Sequence, residues 1–246
     1  MIDWHTRFLQ QADWTCELRE YLFAQVGMDT ARRILEVGCG TGAILSDVAM
    51  RNSAAVHGLD LASGRLSEAR LHAPRALLTR GDALTLPYPD QIFDISFCHF
   101  LLLWVREPLQ ALLEMKRVTR PGGQVLALAE PDYSRRVDKP AVLIPLGRWQ
   151  TESLRRQGAD PSLGERLAKL FHQADIQLIE TGTLRGRGAH PLTAEQRELE
   201  WAVLEADLAG FIPTEEIQKM KTLDEQAWER GERVLFVPTY FAWGVA

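Results

Sequence analysis

The stretch Arg33-Ile34-Leu35-Glu36-Val37-Gly38-Cys39-Gly40-Thr41-Gly42-Ala43 decides the fold. Ile34, Leu35 and Val37, interrupted only by Glu36, form a short run rich in branched apolar side chains, which suits a strand buried in a parallel sheet. Gly38, Gly40 and Gly42 follow at every second position. That spacing lets the backbone take positive φ and lets a ligand lie against main chain where a Cβ would block it. From Ala43 to Arg51, Ile44, Val48 and Ala49 share one side of a predicted helix whose first N–H groups point back at the turn. Strand, turn and helix start together read as a cradle for a nucleotide-like ligand.

A glycine turn alone often marks only a tight corner. Here the downstream segments agree with the cradle. The run Ala54 to Leu59 ends in Asp60, and an acid at the tip of the second strand of a doubly wound sheet is placed for ribose hydroxyls. Ala76 to Arg80 reads as a third strand closed by Gly81-Asp82-Ala83, and Ile92 to Phe97 as a fourth ending near Cys98-His99. A helix opens at Glu107-Pro108, stops at Arg120-Pro121-Gly122-Gly123, and leads into a fifth strand from Gln124 to Ala129. The carboxyl ends of all five strands meet in one crevice.

Taken in order, Glu36-Val37-Gly38-Cys39-Gly40-Thr41-Gly42, Gly58-Leu59-Asp60, Gly81-Asp82-Ala83 and Arg120-Pro121-Gly122-Gly123 resemble the class I S-adenosylmethionine-dependent methyltransferases. The resemblance covers roughly residues 30 to 130. It implies an α/β fold with a Rossmann-like, doubly wound, seven-stranded sheet, mostly parallel with an antiparallel last strand. It also implies S-adenosylmethionine as cofactor and direct in-line methyl transfer to a small-molecule acceptor. Carried over residue by residue, it gives cofactor contacts to Glu36, Gly38, Cys39, Gly40 and Gly42, the ribose to Asp60, and an apolar adenine wall to Leu61. Gly81, Asp82 and Ala83 fall at the adenine edge, and Cys98 beneath the reactive methyl.

His99, Asp132 and Tyr133 are the candidates for orienting the acceptor or taking its proton, with Glu130 beside them. Plainer readings stay open: a structurally hydrogen-bonded ring for His99, and turn residues for Glu130-Pro131-Asp132-Tyr133 and for Asp82. Two other functions use a similar cradle. A nicotinamide-dependent oxidoreductase needs an offset third glycine that is absent, and a non-catalytic S-adenosylmethionine-binding protein would keep the same pocket. The pattern does not separate O-, N-, S- and C-methylation. Around the fourth strand there is neither the acid-or-Asn, Pro-Pro, aromatic run seen in amino-directed DNA methyltransferases nor the Pro-Cys of cytosine-C5 enzymes, so neither a nucleic-acid substrate nor a covalent role for Cys98 is expected.

The rest of the chain supports a single domain with additions. At 246 residues it is long enough for one α/β core with a lid, and its net charge of −5 argues against nucleic acid or anionic membrane as a default partner. No apolar run approaches the ~20 residues of a membrane span, and no basic-then-apolar leader opens the chain; a cytoplasmic protein is expected. Cys16, Cys39 and Cys98 lie far apart, which predicts neither a disulfide framework nor a metal site.

Residues 1–29 are expected as a helical extension, a single amphipathic helix over 3–26; the resemblance implies that it folds over the cofactor with Trp4, Gln11 and Trp14 as the residues to watch, and a helix that plugs one sheet edge with its aromatics in the core stays open. The cofactor core spans 30–130. Substrate-side helices (140–157 and 163–174) and a sixth strand (176–183) occupy 131–185. A helical insertion or lid takes 186–231, its first helix announced by the capping box Thr193-Ala194-Glu195-Gln196 and its second placed over 214–230. One last strand, Arg233 to Val237 with Tyr240-Phe241, completes 232–246. Oligomeric state is not legible.

Overall fold

The computed structural model describes residues 2–51, 53–184 and 192–246. The expected start of the insertion at 186 lies outside the described residues. Strands β1 (Arg33–Val37), β2 (Ala55–Asp60), β3 (Leu77–Arg80), β4 (Phe93–Cys98), β5 (Thr119–Pro131), β7 (Gln177–Leu184) and β9 (Thr239–Val245) form a seven-stranded sheet in the order β3-β2-β1-β4-β5-β9-β7. β1 pairs in parallel with both β2 and β4, and β9 alone runs antiparallel, wedged between β5 and β7. The doubly wound sheet with an antiparallel last strand is therefore present, and the order reverses at β1, which puts the crevice at the tips of β1 and β4.

Alternation along β1 sorts its side chains between the two faces. Leu35 and Val37 join Phe93, Leu112, Met115 and Phe171 in a cluster under helices α5 (Pro108–Val118) and α7 (Leu163–Gln173). Ile34 joins Leu45, Val48, Phe97 and Leu128 on the opposite face, under α3 (Leu45–Arg51) and the N-terminal helices. Glu36 shares that second face, and its carboxyl is carried into the protein interior by the same alternation that buries Ile34. Helix α4 (Ser63–His72) links β2 to β3.

Two expectations are corrected. The leading segment is two helices, α1 (Trp4–Trp14) and α2 (Cys16–Gln25), divided at Thr15, whose hydroxyl lies 3.1 Å from the Ala12 carbonyl and whose φ of −109° leaves the helical region. The last strand is likewise two. β8 (Val234–Phe236) leaves the main sheet to pair with β6 (Val137–Lys139), and only β9 enters the main sheet.

Helices α8 (Ala194–Leu208) and α9 (Thr214–Glu229) pack through Trp201, Leu204, Ile217 and Met220 on Leu143 and Leu146 around the start of α6 (Ile144–Arg156). A buried ionic network reinforces this satellite core. Asp138 takes two hydrogen bonds from Arg136 (2.8 and 2.9 Å) and one from Arg233 (2.8 Å); Arg233 also reaches Asp224, which accepts the Trp201 indole N–H at 2.9 Å. Among the described residues no helix is long and apolar enough to cross a membrane.

Candidate active site

A cavity of about 340 Å³ opens at the carboxyl ends of β1, β2 and β4. One end is made by Glu36, Gly38, Cys39, Gly40, Ala43 and Asp60. The glycine turn takes the positive φ that its spacing predicts. Gly38 and Gly40 have φ of +76° and +54°, and a Cβ on Gly38 would lie 2.7 Å from Leu101 Cδ1, one on Gly40 3.1 Å from the Phe8 ring. The Gly38 and Cys39 N–H groups donate to the Leu59 carbonyl (2.7 and 2.9 Å), which ties the turn to β2.

Asp60 is nearly buried, and its two oxygens accept separately from the backbone N–H groups of Gly40 (2.9 Å) and Ala62 (2.8 Å). Each oxygen retains a lone pair for a further donor. Glu36 differs. Burial lifts its carboxyl well above the usual range, only partly opposed by the Arg19 guanidinium, and Asp60 adds to the rise. The Leu45 N–H donates to it, yet Oε2 is buried without any partner. A buried acceptor of this kind is costly unless a donor arrives.

Helix α1 roofs this end. His5 Nδ1 lies 2.9 Å from Thr41 Oγ1 and the His5 ring stacks on His72 at 3.4 Å, so the helix is pinned across the glycine turn with Phe8 above Gly40. Trp4 and Gln11 line the cavity; Trp14 does not, its ring instead lying 4.8 Å from the Arg7 guanidinium.

The other end is polar, and of its side chains only His99 and Tyr133 are candidates in the sequence. Arg7, His99, Tyr133, Gln150, Gln157 and Asp207 line it, between apolar walls from Leu103 and Leu154. Arg7 hydrogen-bonds Gln10 at 2.9 Å and pairs with Glu200, fastening α1 to α8. Gln157 donates to Asp207 Oδ1 at 3.0 Å; burial raises the Asp207 carboxyl above its ordinary range, with Gln157 and Arg7 opposing. Asp207 had no sequence signal, because an acid on an amphipathic helix ordinarily faces water.

His99 reaches the cavity wall, its Nε2 2.9 Å from Thr15 Oγ1, and burial beside Arg19 pushes its pKa down to about 3. It is therefore a neutral, positioned ring and a weak base. Tyr133 also reaches the wall, and burial raises its phenol, which keeps the O–H.

Asp132 does not line the cavity: it is fully buried, accepting from Ser134 Oγ at 2.5 Å, with its N–H on the Pro238 carbonyl. Glu130 also turns away, accepting from the backbone N–H groups of Leu101, Leu102 and Leu103 at 3.0 to 3.2 Å. It moulds the loop that holds His99, and burial pushes its pKa up to about 7. Cys98 is buried behind that loop near Glu130, and burial raises its thiol.

Gly42 supports the cradle from behind, since a Cβ there would meet Ala73 and Ala69 at 3.3 to 3.4 Å. Leu61 is exposed, as is Asp82, whose Oδ1 accepts the Leu84 N–H at 2.9 Å; neither they nor Gly81 and Ala83 line the cavity. Among the described residues no cluster of His, Cys, Asp and Glu is arranged to hold a metal ion.

Comparison with known proteins agrees with this architecture. A family model described as a methyltransferase domain matches residues 35–127. The malonyl-[acyl-carrier protein] O-methyltransferase of Erwinia pyrifoliae is 34% identical over 231 residues, 91% of this chain and 82% of the relative. The enzyme of that name from Halorhodospira halophila is 38% identical over 99 residues, 39% of this chain, and the match spans only 34% of that relative's length. Phosphoethanolamine N-methyltransferase 2 of Haemonchus contortus shares the fold, with a TM-score of 0.64 at 18% identity over 96% of this chain and 56% of that one. The chain belongs to the class I S-adenosylmethionine-dependent methyltransferases.

Proposed function

We propose that this protein transfers a methyl group from S-adenosylmethionine to a small-molecule acceptor. The observation that carries the reading is the buried, unpartnered Oε2 of Glu36 beside a turn whose Gly38 and Gly40 hold positive φ. A cavity end with a buried, unpartnered carboxyl oxygen on Glu36 and two backbone-fixed oxygens on Asp60 fits a ligand that brings ribose hydroxyls and an ammonium group, whose charge would favour loss of the Glu36 proton. Glu36 would hold the cation and Asp60 the ribose, with Gly38 and Gly40 giving backbone approach.

The cofactor supplies a methyl on a sulfonium, a built-in leaving group, so the chain's own task is to hold an acceptor in line and keep water out. Helices α1 and α8, joined through Arg7 and Glu200, roof the cavity for that second purpose. For the first, the polar end offers a neutral His99, a protonated Tyr133 and the Asp207 carboxylate. Of these, Asp207 is the group suited to accept a proton from an O–H or N–H acceptor. The net charge of −5 favours a small acceptor over nucleic acid, and we read the protein as cytoplasmic.

Calorimetric titration with S-adenosylmethionine, S-adenosylhomocysteine and NADH tests the reading, with Asp60→Ala as control. Saturable binding of the first two alone is expected. Binding of NADH, or of none of the three, overturns it.

A further inference from the structure

Behind Tyr133 lies a second groove of about 290 Å³, lined on one side by Ile144, Gly147, Arg148, Thr151 and Arg155 of α6. The facing wall is Tyr133, Ser134, Arg136 and Asp138, and Tyr133 is common to this groove and the main cavity. Three guanidinium groups therefore face one carboxylate, in a protein whose overall charge is negative. Asp138 is already committed, to Arg136 on one side and Arg233 on the other. Arg148 and Arg155 stand one above the other, seven residues apart on the same helix face, both exposed. The nearest carboxylate to Arg155 is Glu152, at a loose 3.8 Å.

The hydroxyls of Ser134 and Thr151 are turned inward, and Tyr133 is shared with the main cavity. Ser134 Oγ donates to Asp132, and Thr151 Oγ1 donates to the carbonyls of Gly147 (2.8 Å) and Tyr133 (3.0 Å). What is left to recognise a ligand is charge, in the planar fork form that matches phosphate oxygens two at a time. Gly147 makes room for this arrangement, because a Cβ there would collide with the Asp138 carboxylate and the Arg136 Nε.

We propose that this groove is a subsite for a phosphate-bearing arm of the acceptor, held by Arg148 and Arg155 while the reacting end passes Tyr133 into the main cavity. The meaning of the subsite rests on the methyltransferase reading; its existence does not. It makes the acceptor an anionic phosphate ester longer than the main cavity.

The test is calorimetric titration with inorganic pyrophosphate at moderate salt. Wild-type protein is expected to bind it saturably with a Kd near or below about 1 mM. Arg148→Glu with Arg155→Glu should weaken this at least tenfold, while Arg70→Glu with Arg75→Glu, an equal charge change on exposed arginines of α4 and its following turn, should not. Equal weakening by both pairs, or no saturable binding by wild type, overturns the proposal. So does tighter capture, through the same two arginines, of a short oligonucleotide or of phosphatidylglycerol vesicles, which would assign the groove to a macromolecule or a lipid headgroup. S-adenosylhomocysteine affinity should be unchanged by Arg148→Glu with Arg155→Glu. Absence of S-adenosylhomocysteine binding in wild type would sink the methyltransferase reading while leaving the pyrophosphate result to stand alone.

Discussion

At one end of the cavity the groups that face a ligand come from one short stretch, Glu36 to Ala43, with Asp60 one strand away; at the other they come from Arg7, His99, Tyr133, Gln150 and Asp207, gathered from both ends of the chain. The first end works through backbone shape and two buried acids, Glu36 and Asp60, that accept main-chain N–H bonds. The second works through side chains whose positions depend on helices α1, α6 and α8 being docked on one another. A local cradle keeps its geometry as long as β1 and β2 pair. The acceptor end keeps its geometry only while the satellite core and its ionic network hold, so the two ends should respond differently to the same kinds of damage.

The largest expected effect is on the acceptor end. Asp138→Ala removes the carboxylate shared by Arg136 and Arg233 and leaves two buried guanidinium groups short of a partner, which should cost roughly 3–5 kcal/mol of stability in urea denaturation. A loss under about 1 kcal/mol would mean that apolar packing alone docks α8 and α9, and the contrast between the ends would weaken.

Next comes a pH effect that spans both ends. The carboxyls of Glu130, pushed up to about 7, and of Glu36, raised well above its ordinary range by burial with Asp60 adding, bind protons in the folded protein that the unfolded chain has already released. Stability therefore falls as pH rises from about 4.5 through 7, by roughly 3 kcal/mol from Glu130. Thermal unfolding across that range should show the decline, and Glu130→Gln should flatten much of it; a flat wild-type profile would mean that neither carboxyl is as dry as the structure makes it.

Asp60→Ala should weaken S-adenosylhomocysteine binding by about 2 kcal/mol, since the ribose loses a charged acceptor and the Gly40 N–H loses its anchor. Unaltered calorimetric affinity would detach the tip of β2 from the cofactor. The smallest effect belongs to Asp207→Asn, which should move S-adenosylhomocysteine affinity by less than about 0.5 kcal/mol. A change as large as that of Asp60→Ala would show the two ends to be one site.

What the sequence determined follows from how short-range each signal is. Alternation in Ile34-Leu35-Glu36-Val37, glycines at every second position and an acid closing the next strand are local patterns, and each describes what the backbone must do within a few residues. They fixed the parallel sheet, the cradle and the place of Asp60. The capping box at Thr193 likewise forecast the start of α8, where the Thr193 hydroxyl and Gln196 side chain satisfy each other's backbone groups.

Only the tertiary structure decided the rest. The Thr15 hydroxyl, 2.9 Å from His99 Nε2 just past β4, sits at the break in a helix whose apolar pattern reads straight through, and β8 leaves the main sheet to pair with the edge offered by Val137–Lys139. Asp132, a candidate from its place at a strand tip, is buried against Ser134, while Asp207, one acid among several on an amphipathic helix, opens onto the cavity. The difference lies in which face of each element its neighbours cover, a property of contacts between residues far apart in the chain, and no local pattern encodes it.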